Sequence, residues 1–554
     1  MGLCGGADIG DLSERREVKM NSALEETKLS VHLSELFYYM FFGILFAAKG
    51  IGLEYGQKMF YLCMLAALVC LCGKVLLTAY SCIEWLIMFA LVMLGILIHK
   101  NSGEIAALAA VLVIIGMKNI PIKRLMGVCL GIWSIMFALS YILGYFHIKD
   151  GAVVVHEKLG LGPIIRWSLG YTHPNVLHVS YFILVTLLIY TFAWQGKKLW
   201  MASGILFIGN IFVFLYSISY TGVLIVTGYL ILNLYMQMRR KISLVEKILL
   251  QTVFPVCVIF PIAGPFLLKG KAFAFFNKLL STRFELVYNI FHEFSPSLLG
   301  TRVYFENTMA KLTLDSSFAY LLMYYGIIAF ILFVTAYFFL IRYLVKKDMR
   351  WELAIVLAVV VAGVTEQFLF NLSFKNITFF LVGSYLYIVL GYGKKDKYWN
   401  QEFCVLRKWK NLKIVCYAPW KQWKAEFSGL FTKRKVIFGA VLAICTACCV
   451  LGLVWSDIPQ SVYVNKWLTD YRNEKEEIYL DTQAVSDVFD SIVLGYNGPD
   501  VGMYCFTGNI IKIERIRVII GAFVLGGIFV LMMAVGFGIL RKIRLSFKID
   551  GWGK

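Results

Sequence analysis

Seven side chains in this sequence have chemistry that a lipid-facing helix does not need. The stretch IRWSLGYTHPN, residues 165–175, places Arg166, His173 and Asn175 just before the apolar run VLHVSYFILVTLLIY. Arg283 falls in STRFELVYNIF, Arg302 in LLGTRV, Asp315 in LDSSFAYLLMYYG and Glu366 in TEQFLFNLSFKN. Arginine suits bidentate binding of phosphate and keeps its charge in a low-dielectric setting. A histidine or a carboxylate can take a proton from a hydroxyl if it lies within hydrogen-bond reach. Plainer readings stand beside these. Pro174 suits the first turn of a helix that Thr172 or His173 could cap, and Asp315 could cap the helix that follows it.

The elements that must position these residues are membrane helices. Of the 554 residues, 60% are hydrophobic and only 16% charged, and the mean hydropathy is +0.73. Apolar runs of roughly 18 residues or more recur, long enough to cross a bilayer core of about 30 Å. Backbone satisfaction in lipid then requires helices, and no alternating barrel strands are evident. The expectation is an all-α polytopic membrane protein with about fourteen helices, at about 34–48, 57–73, 82–99, 104–117, 124–146, 175–193, 198–216, 221–237, 248–267, 317–341, 352–369, 376–392, 435–455 and 516–540. No cleavable signal peptide is expected in the polar first 30 residues.

The net charge of +20 reads as topology rather than as nucleic-acid binding. With both termini cytoplasmic, the inner segments are rich in Lys and Arg, as basic cytoplasmic loops are. Residues 394–435 hold 12 bases against 3 acids, whereas the outer segment 457–513 holds nine acids against four bases. Four regions follow: 1–33, a cytoplasmic segment; 34–393, a bundle of about twelve helices; 394–434, a basic linker whose tryptophans suit an anionic membrane surface; and 435–554, two helices around 457–513, which is expected to be a small folded or helical cap. The cysteines at 445, 448 and 449 are expected to pack within a helix.

One outer segment breaks the charge rule. Residues 268–316 carry six bases against four acids, which an anionic lipid head group at the outer leaflet would explain. The alternative is an ordinary solvated helix. Phe284, Val287, Tyr288 and Phe291 share a helical face, as on a helix lying along a membrane. Glu366, at the outer end of its predicted helix, is an ionisable group at a depth where such groups are functional by default. No metal-ligand spacing, Walker loop or dinucleotide fingerprint is present, so the chemistry expected needs no metal and no cofactor.

SLGYTHPN entering a helix, the helix start SISYTG, a long outer loop with STRFELVYNIF and LLGTRV, and then LDSSFAYLLMYYG resemble, in that order, the Wzy-type O-antigen and capsule polymerases, most closely their Gram-positive versions. The resemblance covers about 35–393. It implies a GT-C-like bundle with large extracytoplasmic loops in the bacterial plasma membrane, joining undecaprenyl-pyrophosphate-linked repeat units on the outer leaflet, with a chain-length regulator or a flippase as partner proteins. It also implies site roles: Arg166, His173 and Asn175 from the first motif, Arg283 and Arg302 from the large loop, and Asp315 after it. On this reading the arginines neutralise the departing pyrophosphate, and His173 or Asp315 removes the acceptor proton. Tyr220 departs from the pattern, standing where many members have arginine. Two other functions remain: a ligase of the O-antigen type, and a polysaccharide flippase, whose polar residues would lie near the membrane midplane.

Overall fold

The computed structural model describes residues 28–146, 148–149, 153–158, 162–303, 314–392, 401–409, 412–417, 433–454, 461–465, 478–480, 491–494, 503–506 and 509–540. Each of the fourteen expected apolar segments contains a helix. Among the described residues nine helices are long and apolar enough to cross a membrane, and the chain is a membrane protein built mainly of helices. Five segments are too short for that, or too polar. The one expected over 352–369 ends at Ala362; turns follow it, and the backbone is extended at Glu366.

The chain divides into two compact units. One comprises Phe37–Arg407 with Trp467–Arg472; the other comprises Met1–Leu36, Lys408–Lys466 and Asn473–Lys554. In the larger unit α1 (Leu33–Gly50), α2 (Lys58–Leu77), α3 (Cys82–Ser102), α4 (Ala106–Ile115) and α5 (Ile122–Tyr145) precede a hairpin, β1 (Val153–Lys158) and β2 (Gly162–Trp167). Then come α6 (Pro174–Phe192), α7 (Gly196–Ser217), α8 (Tyr220–Met238) and α9 (Leu244–Leu267). Helix α6 is buried along most of its length. Beside it Phe46 stacks on Trp133 at 4.2 Å, and the Trp133 indole donates to Ser180 O at 2.9 Å.

The described part of the basic segment 268–316 includes two short helices, α10 (Gly270–Leu279) and α11 (Arg283–Glu293). The face of α11 buried in the protein is Arg283, Phe284, Val287 and Ile290, which shares Phe284 and Val287 with the expected apolar face. Tyr288 is exposed and stacks on His292. Helix α12 (Ser317–Lys346) contains a π turn at Leu321–Tyr325. Gly326 ends that turn at φ 86°. A Cβ there would fall 2.2 Å from Gly300 N, and one on Gly300 would fall 2.1 Å from Tyr324 O. The two glycines let the loop lie backbone to backbone on the π turn, fastened by Thr301 N–H to Met323 O at 2.8 Å. Helices α13 (Arg350–Ala362) and α14 (Phe379–Tyr392) complete the unit.

Strands qualify the all-α expectation. Within the expected linker 394–434, Glu402–Phe403 pair with Tyr80–Ser81. Glu84 caps α3 through Ser81 and forms an ion pair with Lys118, whose Nζ also lies 3.3 Å from Glu402. The bundle unit therefore runs to Arg407 rather than 393. In the smaller unit Lys413–Tyr417 pair with Lys28–His32. There Ser461–Asn465, Ile478–Leu480, Ser491–Leu494 and Met503–Phe506 make a four-stranded sheet, so of the two forms expected for 457–513, folded or helical, the described residues 461–506 take the folded one, as sheet. Its two helices, α15 (Lys433–Val454) and α16 (Asn509–Leu540), pack at Gly526, where a Cβ would lie 2.3 Å from Ala443 O. Cys445, Cys448 and Cys449 are exposed, contrary to the expected packing role.

Candidate functional site

The turn that carries the first motif is seated on α5. Leu169 and Gly170 have φ of 46° and 81°, and a Cβ on Gly144 would fall 2.3 Å from the Leu169 carbonyl carbon. That seat directs Arg166, at the end of β2, toward the start of α6. His173 is the cap of α6 with Pro174 in the first turn: its Nδ1 accepts the Asn175 backbone N–H at 3.1 Å. A ring nitrogen that accepts cannot also hold a proton. The neutral ring is therefore protonated on Nε2 and acts there as a donor.

Asn175 links two charged groups. Its Oδ1 accepts from Arg166 Nη2 at 2.6 Å, and its Nδ2 donates to Glu366 Oε1 at 3.3 Å. Arg166 Nε donates to Ser217 O at 2.7 Å. Below it His178 Nδ1 meets Ser217 Oγ at 2.9 Å, and its Nε2 meets Asn210 Oδ1 at 2.7 Å. Gly222 leaves room for that ring, since a Cβ would lie 2.4 Å from His178 Cγ.

Arg283 reaches the same point from α11. Its Nε donates to Thr365 O at 2.7 Å and its Nη1 to Leu280 O at 3.0 Å, and its Nη2 lies 3.4 Å from both Asp315 Oδ2 and Glu366 Oε1. Thr221 Oγ1 adds a third donor to Glu366 Oε1 at 3.1 Å. Asn175, Thr221 and Arg283 thus all engage the same oxygen of Glu366. Burial raises the Glu366 carboxyl above the ordinary carboxylate range, with Arg283 opposing the shift. Burial pushes Arg166 down to about 10, with Glu366 opposing, so it stays charged at neutral pH.

A cavity of about 660 Å³ opens at this network. His173, Asn175, Asp315 and Glu366 line it together with Lys49, Glu54, Glu104, Tyr171 and Lys375. Lys49 pairs with Glu54 at 3.0 Å. The Lys375 Nζ lies 5.7 Å from the Tyr171 ring centre and 6.0 Å from that of Trp133. Burial pushes its ammonium down to about 7, with Glu54 opposing.

Of the seven residues singled out in the sequence, six share this network: Arg166, His173, Asn175, Arg283, Asp315 and Glu366. Two of them stand differently from expectation. Arg166 and Arg283 are 3% and 7% exposed, do not line the cavity, and spend their N–H groups on protein carbonyls and carboxylates. They hold the site together rather than face a ligand. Arg302 is exposed at the rim, its Nη2 3.5 Å from where a Cβ on cavity-lining Gly103 would lie. Sequence reasoning missed Thr221, next to the Tyr220 that drew attention, and Lys375. On the expected topology the latter breaks the outer-loop charge rule as the basic segment does, and that signal could have found it. Helix α15 and the strands of the smaller unit supply none of these residues. Comparison of the chain with protein-family models, with curated proteins and with solved structures gave no significant match in any of the three.

Proposed function

We propose that the chain is a glycosyltransferase of the bacterial plasma membrane that polymerises polyprenyl-pyrophosphate-linked oligosaccharide repeat units at the outer face. On this reading it crosses the bilayer about fourteen times and keeps both termini in the cytoplasm. The observation that carries it is the carboxylate of Glu366. Donors separated from it by 191, 145 and 83 residues converge on Oε1, which leaves Oε2 as the oxygen to act in the cavity that Glu366 lines.

The chemistry follows from that asymmetry. The acceptor hydroxyl oxygen forms a bond to the anomeric carbon of the donor sugar. The bond from that carbon to the pyrophosphate oxygen breaks, and the pyrophosphate leaves with the electron pair. The hydroxyl proton passes to Glu366 Oε2. A raised carboxyl pKa brings such a base closer to neutral pH, where general bases work best. Asp315, half-exposed and held by Arg283, lies beside it to orient the acceptor. His173 donates through Nε2 rather than serving as the base.

A second cavity supports a lipid-linked substrate. It measures about 550 Å³ and is lined almost entirely by apolar side chains of α3, α4, α12 and α14. It includes Ile98, five residues before cavity-lining Gly103, and Tyr325, five residues after cavity-lining Tyr320. An isoprenoid tail lying there would leave its head group at the polar site. The test is reconstitution of purified protein in liposomes with lipid-linked repeat units. A ladder of polymers supports the reading. Transfer of a finished chain to a different acceptor would identify a ligase instead, and movement of lipid-linked units across the bilayer without new bonds would identify a flippase.

A further inference from the structure

Lys375 takes no part in the network around Glu366, yet it is 4% exposed and lines the same cavity. It sits between α13 and α14, outside both helices. Among the described residues its Nζ makes no ion pair and no hydrogen bond. Its surroundings are two aromatic faces, Tyr171 and Trp133. The charged groups that bear on it are Glu54, Lys49 and Glu366. Glu54 is already paired with Lys49, and Glu366 with Arg283.

The Lys375 ammonium is not sealed off but opens on the cavity; with no protein anion of its own it depends on what the cavity holds, and aromatic faces supply only part of what it lacks. The rest is supplied if a ligand in the cavity brings the missing anion. The arginines cannot serve instead, because Arg166 and Arg283 are committed to protein acceptors. Nor can Lys49, which is held by Glu54.

We propose that Lys375 anchors a phosphate oxyanion in this cavity, the diphosphate of a polyprenyl-linked glycan; that identification of the anion rests on the function proposed above. An ammonium has three donors on a compact charge, and can hold the diphosphate before reaction and stabilise it as it leaves. The rings of Tyr171 and Trp133 flank the Nζ, on a residue that lines the cavity.

The test uses the full chain in nanodiscs and two probes, radiolabelled undecaprenyl pyrophosphate and inorganic pyrophosphate, with wild type, Lys375→Met and Lys375→Arg. Loss of a charge-assisted contact should weaken both probes at least about tenfold in Lys375→Met, and Lys375→Arg should regain most of that loss. The melting temperature of Lys375→Met should stay equal or rise, since a buried unpaired charge is removed, and this separates lost binding from lost folding. Binding of both probes to Lys375→Met as tightly as to wild type overturns the anchor and leaves the proposed function standing. If wild type binds inorganic pyrophosphate through Lys375 but not the polyprenyl form, the anion site stands and the lipid-linked substrate falls. If wild type binds neither probe, the anchor is overturned.

Discussion

Replacing Glu366 with glutamine isolates the one oxygen assigned to proton transfer. Glutamine keeps an oxygen where Oε1 accepts from Asn175, Thr221 and Arg283 at 3.3, 3.1 and 3.4 Å. It replaces Oε2 with an amide nitrogen, which cannot take a proton. Hydrogen bonds to a charged acceptor contribute about 1.5–3 kcal/mol and those to a neutral one about 0.5–1.5 kcal/mol. These three contacts are long, so Glu366→Gln should cost about 1–2 kcal/mol of stability. Asp315 remains to balance Arg283 at 3.4 Å. The catalytic loss should be larger, since a positioned general base contributes about 10²–10⁴-fold, or about 3–5 kcal/mol of barrier. The assay is the initial rate of polymer formation in proteoliposomes, with binding of the lipid-linked donor measured on the same sample. The expected result is a rate lower by at least about 100-fold with donor affinity nearly unchanged. Wild-type rates from a folded Glu366→Gln variant would refute the assignment of the base.

Three further outcomes are expected. Arg283→Ala leaves Asp315 and Glu366 facing each other without their shared cation, and breaking such a buried arrangement costs about 3–5 kcal/mol; thermal unfolding should show it, and Arg283→Ala combined with Asp315→Asn should recover part of the loss. Gly326→Ala should destabilise by more than about 2 kcal/mol, from left-handed strain added to a Cβ 2.2 Å from Gly300 N, whereas Gly204→Ala, where a Cβ meets nothing within 4 Å, should be neutral or stabilising in the same melt. Burial pushes the Lys375 ammonium down to about 7 from an ordinary 10.5, with Glu54 and Glu366 opposing and Lys49 adding to the shift, and only its protonated form attracts an anion. Pyrophosphate affinity should therefore fall as pH rises through and beyond 7, with the midpoint moved upward by bound anion; a flat profile from pH 6 to 9 would contradict the protonation state assigned to it.

How much of this was legible in the sequence differs from residue to residue. Hydropathy located the helices, because a bilayer demands long apolar runs and leaves few other solutions. The helix expected over 352–369 was too long, since apolarity continues through GVTEQFLF while the backbone bends. The strands of 461–506 were missed because each is only three to five residues long. Charge counting singled out the arginines from composition alone. Composition reveals that a segment carries a guanidinium, not whether its N–H groups are already spent. Arg283 looked like a ligand for phosphate and proves to be bonded to Thr365 O, Leu280 O and two carboxylates. The convergence of Asn175, Thr221 and Glu366 depends on how α6, α8 and the α13–α14 connection pack, and no local pattern encodes that.

The single cation shared by two acids also limits how such a chain can drift. Positions 283, 315 and 366 lie on separate segments, yet their charges form one sum. A lineage that replaces Arg283 with a neutral residue inherits two facing acids, so the change is tolerated only alongside the loss of one of them. Conversely, a third acid entering at 175 or 221 would have to arrive with a new base. Among divergent descendants of this chain these distant positions should therefore change together, in charge-balanced steps, even where the apolar helices between them vary freely.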